Sequence, residues 1–293
     1  MNLALTFLLA PLLVGLVNKT KAVFAGRCGS SVFQLYFDLF RLMKKGTVCS
    51  TNATWIFAIA PLVGITATVA AATLFPLGGA EASVSFTGDV ILFFYLLGAA
   101  RFFTVLAARD VASAFPDMGS AREVQFSALV EVIVFALIAF LALMTHDATL
   151  TGFLTATAGE EAAAAVPLIL AAVAAFLVML SENCRVPFDD PETHLELTMI
   201  HEAMILDYSG PDLALILYTA SLKLWLFSAF VVMLVFPIPV FTPLFYVATL
   251  AMGLVIGAVE SSMARMRFTR TPFVLACAFA CAVLALVMEA LVK

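Results

Sequence analysis

The sequence predicts an all-α polytopic membrane protein, and three observations support that fold class. First, 63% of the 293 residues are hydrophobic and 12% are charged, whereas soluble domains are about 45–50% apolar and about 25% charged. Second, apolar residues occur in runs near the roughly 20 residues that a spanning helix needs. Third, only alternate connections between these runs contain Lys or Arg. We expect a single membrane domain that covers residues 1–293.

The apolar runs predict about eight transmembrane helices. The first run is short, and its basic residues Lys19 and Lys21 follow it, which favours a retained span over a secretory signal peptide. Counts of seven or nine spans stay open, but the alternation of charge favours eight. The predicted spans are 2–17, 54–76, 89–108, 125–144, 163–181, 213–236, 240–260 and 272–291.

Charges in the connections predict the orientation of the chain. Cytoplasmic loops are enriched in Lys and Arg, so we expect the basic connections on the cytoplasmic side of the inner membrane and both termini outside. The basic connections are about 18–53, 109–124, 182–212 and 261–271. Connections without Lys or Arg lie near 77–88, 145–162 and 237–239.

The composition excludes several classes of function. The net charge is −5, and no basic tail or patch suggests a nucleic-acid partner. The five cysteines form no CxxC pair, and the sequence contains no HExxH pattern, so no metal site is predicted. We therefore expect no metal in this chain, which is surrounded by the lipid bilayer.

The first basic connection predicts an amphipathic helix after the first span. Gln34, Asp38, Arg41 and Lys45 recur at intervals of four, three and four residues, which places them on one face of an otherwise apolar helix. Such a helix lies at the membrane surface. It serves either as a plain surface anchor or as a docking element for another subunit, and the pattern fits both.

The second basic connection combines a predicted helix start with clustered charge. Ser120 with Glu123 three residues later fits a capping box, which predicts that a helix begins there. Capping does not explain why Arg109, Asp110 and Arg122 lie in the same connection. The two arginines are therefore candidates for subunit docking.

The third basic connection is strongly acidic. Residues 182–212 hold eight of the chain's 20 acidic residues and two of its three histidines, and Arg185 is the one basic residue among them. Asp190 followed by Pro191 matches the start of a helix, which we expect to continue to about Asp207. Charge that is kept between apolar membrane runs is costly and usually functional.

Titratable groups recur at helical spacing in this acidic connection. Glu192 and Glu196 lie one turn apart on the predicted helix, and His194 and His201 lie two turns apart. Such a row can pass protons, since histidine titrates near neutral pH. An acidic helix that docks onto basic partner subunits explains the same residues equally well.

Four further ionisable residues fall inside predicted spans. Lys223 lies near the middle of span six, too deep to reach the surface, so we expect it to face the bundle with Glu131 of span four or another carboxylate as its partner. Arg101 and Glu260 lie nearer the cytoplasmic ends of spans three and seven. The side chains of these two residues either extend to the membrane surface or are buried in the bundle, and the sequence fits both.

Motifs in the cytoplasmic connections are specific enough to indicate a family. They are the run Glu182–Asp189 with Glu192, Glu196 and Tyr208-Ser209-Gly210, the turn Gly119–Glu123, and the segment Glu260–Arg267. They resemble subunit 1 (the H subunit) of respiratory complex I and the membrane subunit of group 4 [NiFe] hydrogenases of the formate hydrogenlyase and hydrogenase-4 type. Arg27, Gln34 and Asp38 match that family's amphipathic helix, and the resemblance covers nearly the whole chain.

The resemblance implies a membrane anchor and energy-coupling subunit without a cofactor of its own. Such a subunit docks a peripheral arm that holds iron–sulfur clusters and a [NiFe] site or its quinone-reducing descendant. It links electron transfer to proton or sodium translocation. The implied partners are hydrophilic iron–sulfur and large hydrogenase-like subunits on the cytoplasmic side and antiporter-like subunits in the membrane.

Two groups of site residues follow from the resemblance and the charge pattern together. The candidate ion path comprises Glu131, Asp189, Glu192, His194, Glu196, His201, Glu202, Lys223 and Glu260. The candidate docking residues are Arg27, Gln34, Asp38, Arg109, Arg122, Arg185 and Arg265. The resemblance places Arg185, Asp189, Glu192 and Glu196 at a cavity on the redox side.

The sequence departs from the complex I pattern at specific positions. His194 stands where the middle acid of a Glu-x-Glu-x-Glu run is expected, and Cys184 replaces an Asn before Arg185. These changes favour the hydrogenase branch, and a bound quinone is neither predicted nor excluded. The alternatives are a quinone-site subunit of an NADH-quinone oxidoreductase and a stand-alone ion transporter. Charge concentrated in the connections rather than at the midplane disfavours the transporter.

Overall fold

The computed structural model describes residues 2–79, 82–145, 148–157, 165–189, 199–236 and 242–292. Within these ranges the regular structure is helical throughout. The α-helices are α1 (Asn2–Phe24), α2 (Gln34–Met43), α3 (Trp55–Leu74), α4 (Asp89–Asp110), α5 (Ala114–Thr145), α6 (Leu150–Thr157), α7 (Ala165–Glu182), α8 (His201–Met204), α9 (Gly210–Val235), α10 (Thr242–Ser262) and α11 (Thr271–Val292).

The described helices confirm the predicted fold class. Seven of them are long and apolar enough to cross a membrane, namely α1, α3, α4, α5, α9, α10 and α11. A shorter apolar helix, Val166–Glu182 within α7, lies where the fifth span is predicted. The chain is a multi-pass membrane protein of about eight spanning helices, as the run lengths and the alternation of charge indicate.

Helix α1 is longer than the predicted span 2–17 and continues to Phe24. The basic residues that follow the apolar run are good helix formers, and their ammonium groups have partners nearby. Lys19 Nζ donates to the Cys28 carbonyl at 2.6 Å, and Lys21 Nζ lies 3.1 Å from Glu260 Oε2 of α10. The end of α1 is therefore tied to the seventh span.

The predicted amphipathic helix after the first span is confirmed as α2. Gln34 Nε2 donates to Asp38 Oδ1 at 3.1 Å across one turn of its polar face. The Tyr36 hydroxyl donates to the Leu8 carbonyl, which fixes α2 against α1. Three aromatic side chains of this segment stay exposed, namely Phe33, Phe37 and Phe40.

Helix α9 lies at the centre of the bundle, where it packs against α1, α2, α3, α7 and α10. Its side chains Trp225, Phe227 and Phe230 are fully buried. At its start Gly210 has φ +57°, and a Cβ there would lie 2.7 Å from the Gly46 carbonyl oxygen. Only glycine fits this crossing of the first and third connections.

The predicted helix start at Ser120 is wrong. Helix α5 begins at Ala114, six residues earlier in the chain, and the Ser120 hydroxyl donates to the Asp117 carbonyl at 2.8 Å inside the helix. Pro116 falls in the first turn, where its missing N–H leaves no hydrogen bond unmade. Glu123 therefore does not cap the helix, and its buried side chain needs another explanation.

The acidic helix predicted from Asp190 to about Asp207 is wrong in its described part. Only His201–Met204 is α-helical there. The preceding amides of Ile200 and His201 bind the Asp189 carboxylate instead of helix carbonyls, which satisfies them without a continuous helix. Glu192, His194 and Glu196, with the predicted helix start, lie outside the described residues.

Candidate functional site

A cavity of roughly 270 Å³ lies between α1, α3, α4, α9 and the segment that follows α7. One part of its lining is apolar and another part is charged or titratable. Val14, Leu35, Ala60 and Ile216 form an apolar part. The charged part is lined by Arg101, Glu123, Glu182, Arg185, Asp189, His201, Glu202 and Lys223. Most of the chain's described inward-facing charges therefore meet at one place.

Glu182 at the end of α7 holds two cations from two other helices. Lys223 Nζ of α9 lies 2.9 Å from Glu182 Oε2 and also donates to the Glu182 carbonyl at 2.7 Å. Arg101 of α4 forms an ion pair with Glu182 Oε1. All three side chains are largely buried, with exposed fractions of 12%, 18% and 8% for Lys223, Arg101 and Glu182.

This cluster decides between two pairs of alternatives that the sequence left open. Lys223 faces the bundle interior as expected, and its partner is another carboxylate, Glu182, rather than Glu131. Arg101 does not reach for the membrane surface, since it is bound to Glu182. The sequence did not indicate these three contacts, because Glu182 is the last residue of the 18-residue helix α7 and lies far from Arg101 and Lys223 along the chain.

Glu123 is a buried member of the site, although the sequence pattern indicated only a helix cap and a family motif at this position. Its side chain is 6% exposed, and Cys184 Sγ lies 3.5 Å from Glu123 Oε2. Burial is the main cause that raises the pKa of the Cys184 thiol, so this thiol is protonated and donates to the carboxyl group. The apparent capping box gave Glu123 a local explanation, which masked its place in the cavity.

Glu260 of α10 joins the first and third connections. Its side chain has no exposed surface, and its two oxygens lie 3.1 Å from Lys21 Nζ and 3.5 Å from Arg185 Nη1. Of the two explanations for Glu260, the buried role is correct. A buried carboxylate between two cations has its charge compensated, and removing the carboxylate would be strongly destabilising because it leaves two buried cations without it.

Asp189 fixes the backbone on the far side of the cavity. It is 1% exposed, and its Oδ1 lies 3.0 Å from Arg265 Nη2. Its Oδ2 accepts from Ile200 N at 2.9 Å and from His201 N at 3.3 Å. Arg122 Nη1 adds a bond to the Met199 carbonyl at 3.0 Å. The predicted docking residues Arg122 and Arg265 thus hold the segment that carries His201.

His201 presents an unusual imidazole to the cavity. Its Nε2 is buried and has no hydrogen-bond partner among the described parts of the chain. Burial, and then the positive charges of Lys223 and Arg185, lower the pKa of His201 to about 4. The ring is therefore neutral at physiological pH. Glu202 lines the same cavity one residue later.

Glu131 of α5 lies apart from the charged cluster and is exposed at the bundle surface. It lines a second cavity of roughly 60 Å³ together with Tyr95, Arg101 and Glu182. The Arg101–Glu182 pair therefore forms part of the wall of both cavities. Glu131 is connected to the cluster through this shared wall and not through a direct ion pair with Lys223.

The predicted docking residues fall into three environments. Arg27 and Arg109 are exposed, and Arg109 Nε forms an ion pair with Asp117 Oδ1 at 3.0 Å in which both side chains are about 60% exposed. Gln34 and Asp38 are half-buried on α2. Arg122, Arg185 and Arg265 point inward to the network described above. A docking role for all seven stays a prediction.

Contacts between the first three connections join them at one end of the bundle. Asp110 accepts from the Thr54 amide at 2.6 Å and from the Thr54 hydroxyl at 2.7 Å. Tyr208 stacks on Phe57 at a centroid distance of 3.9 Å. In the described residues, no three His, Cys, Asp or Glu side chains gather in a way that could hold a metal ion. A site without a resident cofactor stays a prediction.

Comparison with known proteins gives this arrangement a family context. The family model described as NADH dehydrogenase matches residues 1–290. Formate hydrogenlyase subunit 4 of Escherichia coli (strain K12) is 28% identical over 298 residues, which cover 96% of this chain and 94% of that protein. Hydrogenase-4 component C of the same organism is 29% identical over 233 residues, with 78% and 72% coverage.

The fold also matches a solved structure. A chain from the membrane-bound sulfane sulfur reductase (MBS), an archaeal respiratory membrane complex, superposes with a TM-score of 0.86 at 17% identity. The match covers 98% of this chain and 96% of that one, and at this identity it establishes the fold alone. With the family match across nearly every residue, the conclusion is direct: this chain is a member of the NADH dehydrogenase family.

Proposed function

We propose that this chain is the membrane anchor and energy-coupling subunit of a respiratory oxidoreductase of the membrane-bound hydrogenase type. Its family and relatives make it a membrane subunit of a complex-I-like oxidoreductase that works with partner subunits. The finer proposal is that it docks an iron–sulfur and [NiFe] arm in the cytoplasm and couples electron transfer to proton or sodium translocation. It lies in the inner membrane with both termini outside.

The Arg101–Glu182 pair is the observation that carries the coupling proposal. On one side, the pair borders the large cavity, which is also lined by Arg185, Asp189 and Glu202 of the segment between α7 and α9. On the other side, it borders the small cavity that Glu131 lines. A change in charge at the cytoplasmic segment can thus reach Glu131 through one ion pair, because interactions between buried charges are weakly screened.

The exposed carboxylate of Glu131 supports an antiporter-like partner in the membrane. Glu131 lies inside α5, a helix that crosses the bilayer, and an ionisable residue at that depth that faces lipid is expensive. A neighbouring subunit with a polar or cationic side chain opposite Glu131 removes that cost. Ion transfer then continues from this chain into its neighbour.

Gentle detergent extraction followed by mass spectrometry tests the docking half of the proposal. We expect iron–sulfur subunits, a large hydrogenase-like subunit and antiporter-like subunits to co-purify with this chain. Purification of the chain alone from membranes that contain all of these proteins would contradict it and would favour the stand-alone transporter.

Lys223→Ala tests the coupling half. Because Glu182 keeps Arg101 as a partner, the complex should assemble and oxidise its donor while ion transport into proteoliposomes is strongly reduced. Arg109→Ala at the exposed ion pair is the control, and it should affect docking but not transport by the assembled complex. The coupling role would be contradicted if most of the Lys223→Ala complex failed to assemble while the fraction that did assemble transported ions normally.

A quinone-site subunit of an NADH-quinone oxidoreductase is the second candidate function. The cavity favours it because an apolar wall of Val14, Ala60 and Ile216 leads to a charged end, which suits an amphipathic molecule. Reduction of a short-chain quinone by the purified complex, abolished by Gly64→Leu in the cavity wall, would support it. Donor oxidation with no quinone reduction would favour the hydrogenase type.

A further inference from the structure

We propose that Glu123 is the group that takes up and releases the translocated proton at the charged end of the cavity, with Glu182 as a fixed counter-ion. The proposal rests on the proposed coupling function and assigns a role within it. Glu123 lines the large cavity and is nearly inaccessible to solvent. It was not among the residues expected to carry ions.

The distribution of ion pairs separates the two carboxylates. Arg101 and Lys223 both bind Glu182, whereas Glu123 binds the neutral thiol of Cys184 and forms no ion pair within the described residues. Protonating Glu182 would disrupt two buried ion pairs, and protonating Glu123 would disrupt none. Glu123 is therefore the carboxylate of the pair that exchanges a proton with the least loss of interaction energy.

The charge balance of the cluster explains how such a proton can do work. Arg101 and Lys223 carry two positive charges, and Glu182 and Glu123 supply two negative charges when both are ionised. Each of the other three lies within electrostatic reach of Glu123. When Glu123 accepts a proton from cavity water, the cluster gains one net positive charge. Release of the same proton toward the Glu131 side restores neutrality. The extra positive charge after uptake therefore favours transfer of the proton out of the cluster.

The surroundings of Glu123 provide a route for that proton. A third cavity of roughly 10 Å³ is lined by Arg101, Glu123, Glu182 and Cys184. This volume is near the lower limit for one water molecule, which can bridge these polar groups. Across the large cavity the other titratable or charged groups are Arg185, Asp189, His201 and Glu202. Arg185 and Asp189 have ion-pair partners in Glu260 and Arg265.

Glu123→Gln in the complete complex in proteoliposomes is the test. The amide keeps the size of the side chain and accepts a bond from Cys184, but it cannot carry a proton. We expect donor oxidation to continue and the rate of proton uptake to fall by roughly 100-fold, as for loss of a positioned proton-transfer group. The matched control is Glu289→Gln, which alters another buried carboxyl group, in α11, and should leave proton uptake at the wild-type level.

Infrared difference spectroscopy gives a readout that a purely structural residue would not affect. The wild type should show a carboxyl C=O band that changes during turnover, and this band should be absent from Glu123→Gln and present in Glu289→Gln. If the Glu123→Gln complex does not assemble, Glu123→Asp is used instead. In this variant the carboxyl C=O band should be shifted in frequency, and proton uptake should be partly retained.

The failures of the two proposals are distinguishable. If the wild-type complex oxidises its donor without moving any ion, the coupling function itself is contradicted, and so is the role of Glu123. Wild type that moves protons, with normal uptake or an unchanged band in Glu123→Gln, contradicts the Glu123 role alone. Transport of sodium without protons also overturns the Glu123 role while leaving energy coupling intact.

Discussion

At the residue scale, the buried charges of this chain are compensated by partners from other helices. Glu182 binds Lys223 and Arg101, Glu260 binds Lys21 and Arg185, and Asp189 binds Arg265. None of these pairs is local in sequence. Each charge is therefore stable only when the helices are assembled, and this makes the charges sensitive reporters of the packed state.

Glu182→Gln should strongly destabilise the protein. It leaves two buried cations without their carboxylate, which typically costs about 3–5 kcal/mol. Glu131→Gln is the matched control, because its side chain is exposed on a membrane span and removing a charge that faces lipid should not destabilise the protein. Thermal denaturation of the two purified variants in the same detergent measures both. A loss of stability in Glu131→Gln as large as in Glu182→Gln would refute this ordering.

His201 should make the folded protein less stable as the pH falls from about 6.5 toward 4. Its folded-state pKa is lowered to about 4 from the ordinary 6.5, so the unfolded chain binds a proton in this window while the folded chain does not. Denaturant unfolding across this range should show a smaller pH dependence in His201→Gln than in the wild type. Above about pH 7 His201 should no longer make the stability depend on pH, since the imidazole is then neutral in both the folded and the unfolded state.

At the scale of elements, side chains from other parts of the chain decide where helices stop. The Asp189 carboxylate captures the amides of Ile200 and His201, and Arg122 holds the Met199 carbonyl. The chain therefore lies against α5 and contributes only the short helix α8. This places His201 at the cavity wall, where a continuous acidic helix had been expected.

Asp189→Asn should loosen this segment without unfolding the bundle. The neutral amide loses the charge-assisted bonds to Arg265 and to two backbone amides, each typically worth about 1.5–3 kcal/mol. Hydrogen exchange of a peptide that covers residues 199–204 should accelerate by at least about tenfold, since 1.4 kcal/mol corresponds to that factor. Asp117→Asn at the exposed pair with Arg109 is the control, because exposed pairs contribute about 0–1 kcal/mol.

At the scale of the whole molecule, the bundle concentrates polar contacts at the end where the first three basic connections meet. Asp110 binds Thr54, the Ser209 hydroxyl donates to the Val48 carbonyl at 3.2 Å, and Gly210 lies against Gly46. The exposed charges of Arg27 and Arg109 lie in the same connections. One surface thus combines connections that are bonded to one another with exposed charge, as docking of a peripheral arm requires.

Thiol labelling of intact cells and inverted vesicles checks the proposed orientation and docking together. Cys28 and Cys49 of the first connection are exposed, so they should react with a membrane-impermeant maleimide in inverted vesicles stripped of peripheral subunits, and not in intact cells. Rebinding of the peripheral arm should protect Cys49. Thr87→Cys in the opposite connection is the control and should react from outside. Labelling of Cys28 in intact cells would show that the chain has the opposite orientation in the membrane.

The sequence predicted the elements well and the pairings poorly. The spans, the amphipathic helix α2 and the inward position of Lys223 follow from local pattern, since about 20 apolar residues must cross a bilayer and mid-span charge must avoid lipid. The partner of Lys223, the burial of Glu123 and the end of the acidic helix depend on groups far away in the chain. Spacing along one helix carries no information about those groups.

By itself the sequence determined that this protein is a multi-pass membrane subunit and which family it resembles, because hydropathy and short motifs are local properties of the chain. Only the tertiary structure decided that Glu182, Arg101 and Lys223 form one cluster beside Glu123. Electrostatic interaction depends on distance through space, and burial multiplies its strength. The site therefore exists only once α4, α5, α7 and α9 are packed together.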